Sequence, residues 1–418
     1  MQSTSVSSSS GNQSSSLLSA AVIVAALGYF VDIFDLLLFS IVRKTSLLSI
    51  GVAEVDQVSK GLLLHNLQMI GMLLGGVFWG ILADKKGRLS VLFGSIFLYS
   101  VANIANGFVH SVTQYAICRI ISGIGLAGEL GAGITLVAES LPKEKRGYGT
   151  MIVATIGVSG AVVAGLVGEF FDWRVTYIIG GALGIGLLLL RINTVESSLF
   201  QHAEETDSKT RGQFLTIFQK KERFLRFLYS ILIAVPIWYV VGTLIQLSPE
   251  IAKELGVMGD IKAGRAVMFC YGGLTLGDLG SGLVSQLFKS RKKAILAFII
   301  GLCGSVFLYF TLGRNATPEM FYGICLLLGF FSGYWAVFVT TAAEQFGTNL
   351  RGTVATCAPN FVRASVVPMS LTFTLLKMNL SLANSAIIIG IVVLAMSIFA
   401  CIKLQETFYT DLNFYEKD

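Results

Sequence analysis

Apolar runs long enough to cross a bilayer recur along nearly the whole chain, and this recurrence restricts the fold more than any single motif. Crossing ~30 Å of hydrocarbon takes about 20 residues of helix. The bilayer interior offers no water to exposed backbone groups, so only helices and closed barrels can span it. The strict alternation of a barrel strand is absent. With 54% hydrophobic and only 13% charged residues in 418, the chain lies outside the soluble globular range. It reads as an all-α membrane protein, with spans centred at about 29, 71, 100, 127, 158, 182, 236, 276, 302, 330, 364 and 391.

Twelve spans put both termini on one side. Lys85, Lys86 and Arg88, then Lys143, Lys145 and Arg146, then Lys289, Arg291, Lys292 and Lys293 fall in links on one face. The excess of bases marks that face, and both termini, as cytoplasmic. The formal charge of +6 is therefore topology, with nothing to suggest nucleic-acid binding. Residues 1–16 hold nine serines and no charge and read as a disordered cytoplasmic tail. The six cysteines are scattered within spans without CxxC spacing, which argues against disulfides or a metal site.

The longest polar stretch, 193–226, separates two six-helix bundles at 17–192 and 227–404, with a cytoplasmic tail at 405–418. The halves echo each other: Glu139 with Arg146-Gly147 recurs as Glu344 with Arg351-Gly352, and Glu196-Ser197 is answered by Glu406-Thr407. The chain thus reads as two pseudo-symmetric six-helix bundles.

Several ionisable residues lie within the spans, where a charge costs at least ~2.5 kcal/mol on insertion scales and marks a functional position by default. Asp32 and Asp35, spaced i and i+3, project from one face of the first helix near Tyr29. Facing lipid they would be intolerable, so they should face a central cavity and exchange protons there. A structural pairing with Arg43 or Arg119 is the alternative. Arg119 and Glu129 sit deep in the fourth span and each needs a partner or a proton. Arg363, twelve residues beyond Arg351, falls about 18 Å into the eleventh span, near the midplane. Asn360 is one turn earlier, and guanidinium plus amide can hold a carboxylate; pairing with Asp278 or Glu344 is the alternative. Tyr271, Thr275 and Asp278 form one polar stripe, and Tyr239, Thr243 and Gln246 another. Trp335 is a candidate substrate cap. His65, Asn66 and Gln68 read as internally satisfied polar groups.

Gly80-Ile-Leu-Ala-Asp84-Lys-Lys-Gly87-Arg88 resembles the signature loop between helices 2 and 3 of the major facilitator superfamily of secondary transporters. Leu89 departs from the pattern at its last position. Arg119 followed by Gly123, Gly125 and Gly128 resembles that superfamily's second signature, which implies proton coupling for Arg119. The resemblance implies a substrate held between the halves near the midplane, and a cytoplasmic gate of Gly80, Asp84, Gly87, Arg88, Glu139, Arg146, Glu344 and Arg351. Tyr29 to Asp35, Glu344 to Gly352 and Pro359 to Arg363 look similar to the phagosomal nutrient transporters of intracellular bacteria. The same acids and Gly128-Glu129 also resemble aromatic-acid and metabolite proton symporters.

No GxxxxGK[ST], HExxH or GxSxG motif is present and there are only three histidines, which removes support for ATP-driven pumping, membrane hydrolase chemistry or any cofactor. The fifth span lacks the Gly-Pro step of the superfamily's drug antiporters. The expectation is a proton-coupled importer, working as a monomer in the bacterial inner membrane by alternating access. Its partners are a small-molecule substrate, protons and the lipid bilayer. An amino acid is the first expectation for the substrate: Asp32 or Asp35 would take the ammonium and Arg363 the carboxylate, with Asp32, Asp35, Arg119 and Glu129 coupling protons. A nucleoside or an organic acid is the alternative, and an exporter, a lipid translocator or a sensor lies further off.

Overall fold

The computed structural model describes residues 20–86, 88–129, 146–195, 216–409 and 416. The tail at 1–16, Gly87, Glu139 and most of the 193–226 linker lie outside the described residues, as do the side chains of Asp84, Arg88 and Arg146. The described residues form helices at all twelve expected spans. They are α1 (Ala20–Ser49), α2 (Gln57–Lys86), α3 (Arg88–Asn106), α4 (Val112–Leu126), α5 (Arg146–Phe170) and α6 (Trp173–Val195). The second half holds α7 (Lys221–Ile245), α8 (Ala263–Leu287), α9 (Arg291–Thr311) and α10 (Pro318–Glu344). It ends with α11, in two segments Thr348–Ala364 and Val366–Lys377, and α12 (Leu382–Lys403).

The internal repeat is written in glycine packing. Lipid supplies no hydrophobic drive between helices, so close contact comes from small residues that let backbones approach. A Cβ at Gly71 or Gly75 of α2 would strike the carbonyls of Ile120 or Ile124 on α4, and one at Gly123 of α4 would strike Gln68 on α2. The same set recurs between α8 and α10: Gly273 against Leu326, Gly277 against Phe330, and Gly329 against Cys270. Each residue of the second set lies 202 or 206 residues after its counterpart in the first. The other pairings repeat too, with α3 on α6 matched by α9 on α12.

The halves meet along two equivalent seams, α5 against α8 and α2 against α11. Ion pairs close the end of the bundle opposite the Gly80–Arg88 link. Buried Arg43 of α1 meets Glu250, just beyond α7, at 2.6 Å and also donates to the Gln246 carbonyl at 3.2 Å. More exposed, Glu169 of α5 receives Arg265 of α8 at 2.7 Å and Lys262 at 3.2 Å. Exposed pairs contribute ~0–1 kcal/mol, whereas unpairing one partner of a buried pair costs roughly 3–5 kcal/mol. Arg43–Glu250 is thus the stronger clasp.

Helices α1, α2, α3, α5 and α6 run unbroken, while α7, α10 and α11 do not. A π-helical stretch, Val240–Ile245, interrupts α7; α10 opens at Gly333–Tyr334, and α11 turns at Ser365 after Pro359. Such interruptions at membrane depth survive only where protein or a polar cavity satisfies the freed backbone groups.

Replacing Gly277 with Val should force α8 and α10 apart. Overpacking of this kind costs about 1–3 kcal/mol, and the melting temperature of detergent-purified protein should fall by several degrees. Gly75→Val should match it, whereas Gly282→Ala, with nothing within 4 Å of its Cβ position, should leave it unchanged.

Candidate substrate and proton site

Asp32 and Asp35 of α1 are both fully buried. The side chain that meets Asp32 comes from the other half: Arg363 Nη2 lies 3.8 Å from Asp32 Oδ2. Arg363 occupies the last turn of the first α11 segment, where a cation also complements the helix C-terminus. Its Nη1 donates to Asn360 Oδ1 at 3.4 Å, and its guanidinium stands 5.8 Å from the Trp335 ring, at the start of the second α10 segment. Asn360 in turn donates to the Ala127 carbonyl of the first half at 3.3 Å. Among the described residues the Asp32 oxygens accept no hydrogen bond of normal geometry, so Coulomb attraction joins Asp32 to Arg363. A pair without bidentate bonds is easily exchanged for a better one.

Tyr29 and Tyr271 lie within Coulombic reach of this pair, and Asp278 lies within reach of Tyr29. Asp278 has a structural task there: its Oδ1 accepts from the Ala336 backbone N–H at 3.1 Å, capping the second segment of α10 where the helix restarts. Of the expected binding residues, the structure therefore gathers Tyr29, Asp32, Tyr271, Asp278, Trp335, Asn360 and Arg363. Tyr239 points elsewhere, its hydroxyl donating to the Ala386 carbonyl of α12 at 2.8 Å. Thr243 and Gln246 lie further along α7, toward the Arg43 clasp.

The expected proton-coupling charges of the fourth span, Arg119 and Glu129, find partners within the first half. Arg119 donates to the Gln68 side chain, stacks 4.6 Å from the Phe39 ring centroid, and lies within Coulombic reach of Asp35 beside Asn103. Glu129 is engaged by Arg191 of α6, with Nη1 3.1 Å from Oε2 and Nη2 reaching Oε1. Sequence reasoning missed Arg191, because an arginine closing the run Leu187–Leu190 looks like a membrane-edge anchor. It also missed the clasp, whose partners are 207 residues apart.

Of the expected gate, Gly80 lies on α2. Glu344 pairs with Arg291 at 3.5 Å and accepts from Thr407 at 2.7 Å, while Arg351 donates to the Phe346 carbonyl at 3.4 Å. These contacts all stay within the second half. Beyond the spans, Glu406 binds the start of α9 through Ser290 and the Arg291 and Lys292 amides. Burial pushes its carboxyl up, yet hydrogen bonds from Ser290 and from the Phe408, Arg291 and Thr407 amides outweigh it and hold the carboxyl below the usual range.

Two halves packed in one pattern, seams at α2–α11 and α5–α8, and a buried acid and base facing each other across them define a two-bundle transporter. The profile of the Major Facilitator Superfamily matches residues 12–361. The chain belongs to that superfamily and is a multi-pass membrane transporter of small molecules. It is 26% identical over 345 residues to the sialic acid transporter NanX of Escherichia coli, covering 79% of this chain and 80% of NanX. It is 27% identical over 375 residues to the niacin transporter NiaP of Acinetobacter baylyi, covering 78% and 80%. The inward-open xylose transporter XylE of E. coli shares the fold, with a TM-score of 0.69 at 17% identity over 94% of this chain and 97% of XylE.

Removing one partner of a buried ion pair strands the other, at a cost of roughly 3–5 kcal/mol. Arg191→Leu should therefore lower the melting temperature sharply. Glu129→Gln should do the same while leaving the pH profile of uptake in place; a displaced profile would instead put Glu129 on the proton path.

Proposed function

We propose that this protein imports a small carboxylate-bearing metabolite together with a proton, across the bacterial inner membrane. The Asp32–Arg363 pair between the halves carries the reading. With Asp32 ionised, the pair neutralises itself and Arg363 is engaged. A proton arriving on Asp32 removes its charge, and the guanidinium becomes available to a substrate carboxylate, with Asn360 and Trp335 alongside. The substrate then replaces an intramolecular ion pair by charge-assisted hydrogen bonds, each worth about 1.5–3 kcal/mol. Loading therefore requires proton and anion together, which is the condition for symport.

Alternating access follows from where the polar contacts lie. By the positive-inside reading the Arg43–Glu250 clasp and the Glu169 pairs lie at the outer end, and their opening would admit substrate from outside. Asp84, Arg88, Glu139 and Arg146, with Gly80 and Gly87, would latch the cytoplasmic end, while Glu344 and Arg351 brace the second half. The bundles at 17–192 and 227–404 would move as units, joined by the linker at 193–226, with both termini in the cytoplasm.

An organic acid is favoured over an amino acid, because Asp32 is occupied by Arg363 and a protonated Asp32 cannot pair with an ammonium. The substrates for which NanX and NiaP are named, sialic acid and niacin, both carry a carboxyl group. A nucleoside carries none and would make no use of Arg363.

Purified protein in liposomes, offered radiolabelled sialic acid, niacin, an amino acid and a nucleoside, tests this reading. An inward proton gradient should drive accumulation of at least one acid and not of the nucleoside. Arg363→Ala should weaken acid binding by about 10-fold to 100-fold. Uptake indifferent to the gradient removes symport, and unchanged acid affinity in Arg363→Ala removes the carboxylate site.

A further inference from the structure

One face of α2 carries Gly61, His65, Gln68 and Gly76 at spacings that keep them in line. The Arg43 side chain lies across Gly61, and Asn360 sits against Gly76. Between them, Gln68 accepts from Arg119. His65 is buried, and among the described residues neither ring nitrogen has a hydrogen-bond partner. It faces the other half: Nε2 lies 3.6 Å from the Cβ position of Gly242, inside the π-helical stretch of α7. One turn on, Gln246 is fully buried, and both its amide atoms also lack a partner. The Gln246 backbone carbonyl takes Arg43 Nη2 at 3.2 Å, which ties Arg43, His65 and Gln246 into one patch. Buried polar groups are nearly always hydrogen-bonded, and leaving them unpaired is costly. Four unsatisfied atoms, two on His65 and two on Gln246 one helical turn beyond the residue His65 abuts, beside a π-helical interruption of a kind frequent at functional sites, are an arrangement that a ligand would complete.

We propose that His65 and Gln246 form a second, uncharged subsite, which binds the hydroxyl or amide groups of a substrate whose carboxylate is held at Arg363. The inference rests on the carboxylate reading above and adds the rest of the molecule. Distance fits a small metabolite. Ser370 of α11 donates to Asn66 at 2.6 Å, which sets Ser370 level with His65's neighbour. Arg363 lies seven residues before Ser370, so at ~1.5 Å per residue the two subsites are about 10 Å apart along the helix axis. Side chains reaching inward from both ends shorten the gap. Charge balance determines the character of the tail. Arg43, Arg191 and Arg363 already have Glu250, Glu129 and Asp32 as ion-pair partners, and Arg119 is taken by the Gln68 side chain and the Phe39 ring. A second carboxylate would bring an unmatched charge, whereas hydroxyls and amides use the imidazole and carboxamide without one. His65 and Gln246 thereby act on selectivity and not on coupling.

The test compares two probe acids in proteoliposomes: N-acetylneuraminate, which carries hydroxyls and an amide, and benzoate, which carries neither. The ratio of their kcat/KM values should favour N-acetylneuraminate in the wild type. His65→Leu and Gln246→Leu should each reduce that ratio at least tenfold through KM, and His65→Asn, which restores a donor and an acceptor, should recover part of it. Monodisperse elution of each variant checks folding. Wild-type uptake of benzoate with no preference for the hydroxylated acid, or an unaltered ratio in the variants, overturns the subsite while leaving the carboxylate reading intact. Uptake of neither acid overturns the carboxylate reading itself.

Discussion

A charge buried in a bilayer needs a compensating partner, and the placement of three ion pairs among the spans organises this protein. One stays within the first bundle, Glu129 with Arg191. Two cross between bundles: Asp32 with Arg363 and Arg43 with Glu250. A match inside one bundle survives rigid-body motion, while a match across the seam must be broken for the bundles to part. On the proposed mechanism the internal pair would stabilise and the crossing pairs would switch.

The bundles can move as bodies because their internal contacts are backbone against backbone. Glycines at α2–α4 and α8–α10 remove the side chains that would hold the helices apart, and dense contacts of that kind shift together. Helix interruptions occur in α7, α10 and α11 of the second half. Arg363 and Trp335 sit directly at two of these interruptions. One bundle therefore presents a fixed acid on an unbroken helix, and the other presents the base and the aromatic ring at hinge-like breaks.

Much of this was legible in the sequence, since span length, glycine spacing and the rarity of charges at depth are local properties. The depth of Arg363 follows from counting residues along one helix, and the shared face of Asp32 and Asp35 follows from their spacing. Partners were another matter. Asp32 meeting Arg363 in place of Arg43 or Arg119, and Arg43 meeting Glu250, depend on the order in which twelve helices pack, which no local pattern carries. Asp278 illustrates the same limit, because its stripe with Tyr271 is visible, but its capping of α10 depends on a break 58 residues away. His65 read as an internally satisfied group, and only the three-dimensional surroundings of α2 show that among the described residues its nitrogens are unpartnered.

The central claim is that the proton carried with the substrate sits on Asp32 and compensates the incoming carboxylate. Simultaneous recording of external pH and membrane current during uptake of a monocarboxylate by proteoliposomes tests it most directly. The account predicts one proton entering per acid with no net charge moved, and no substrate-linked proton entry in Asp32→Asn even where acid exchange persists. Net charge movement with each acid, or proton entry in Asp32→Asn equal to the wild type, would contradict it.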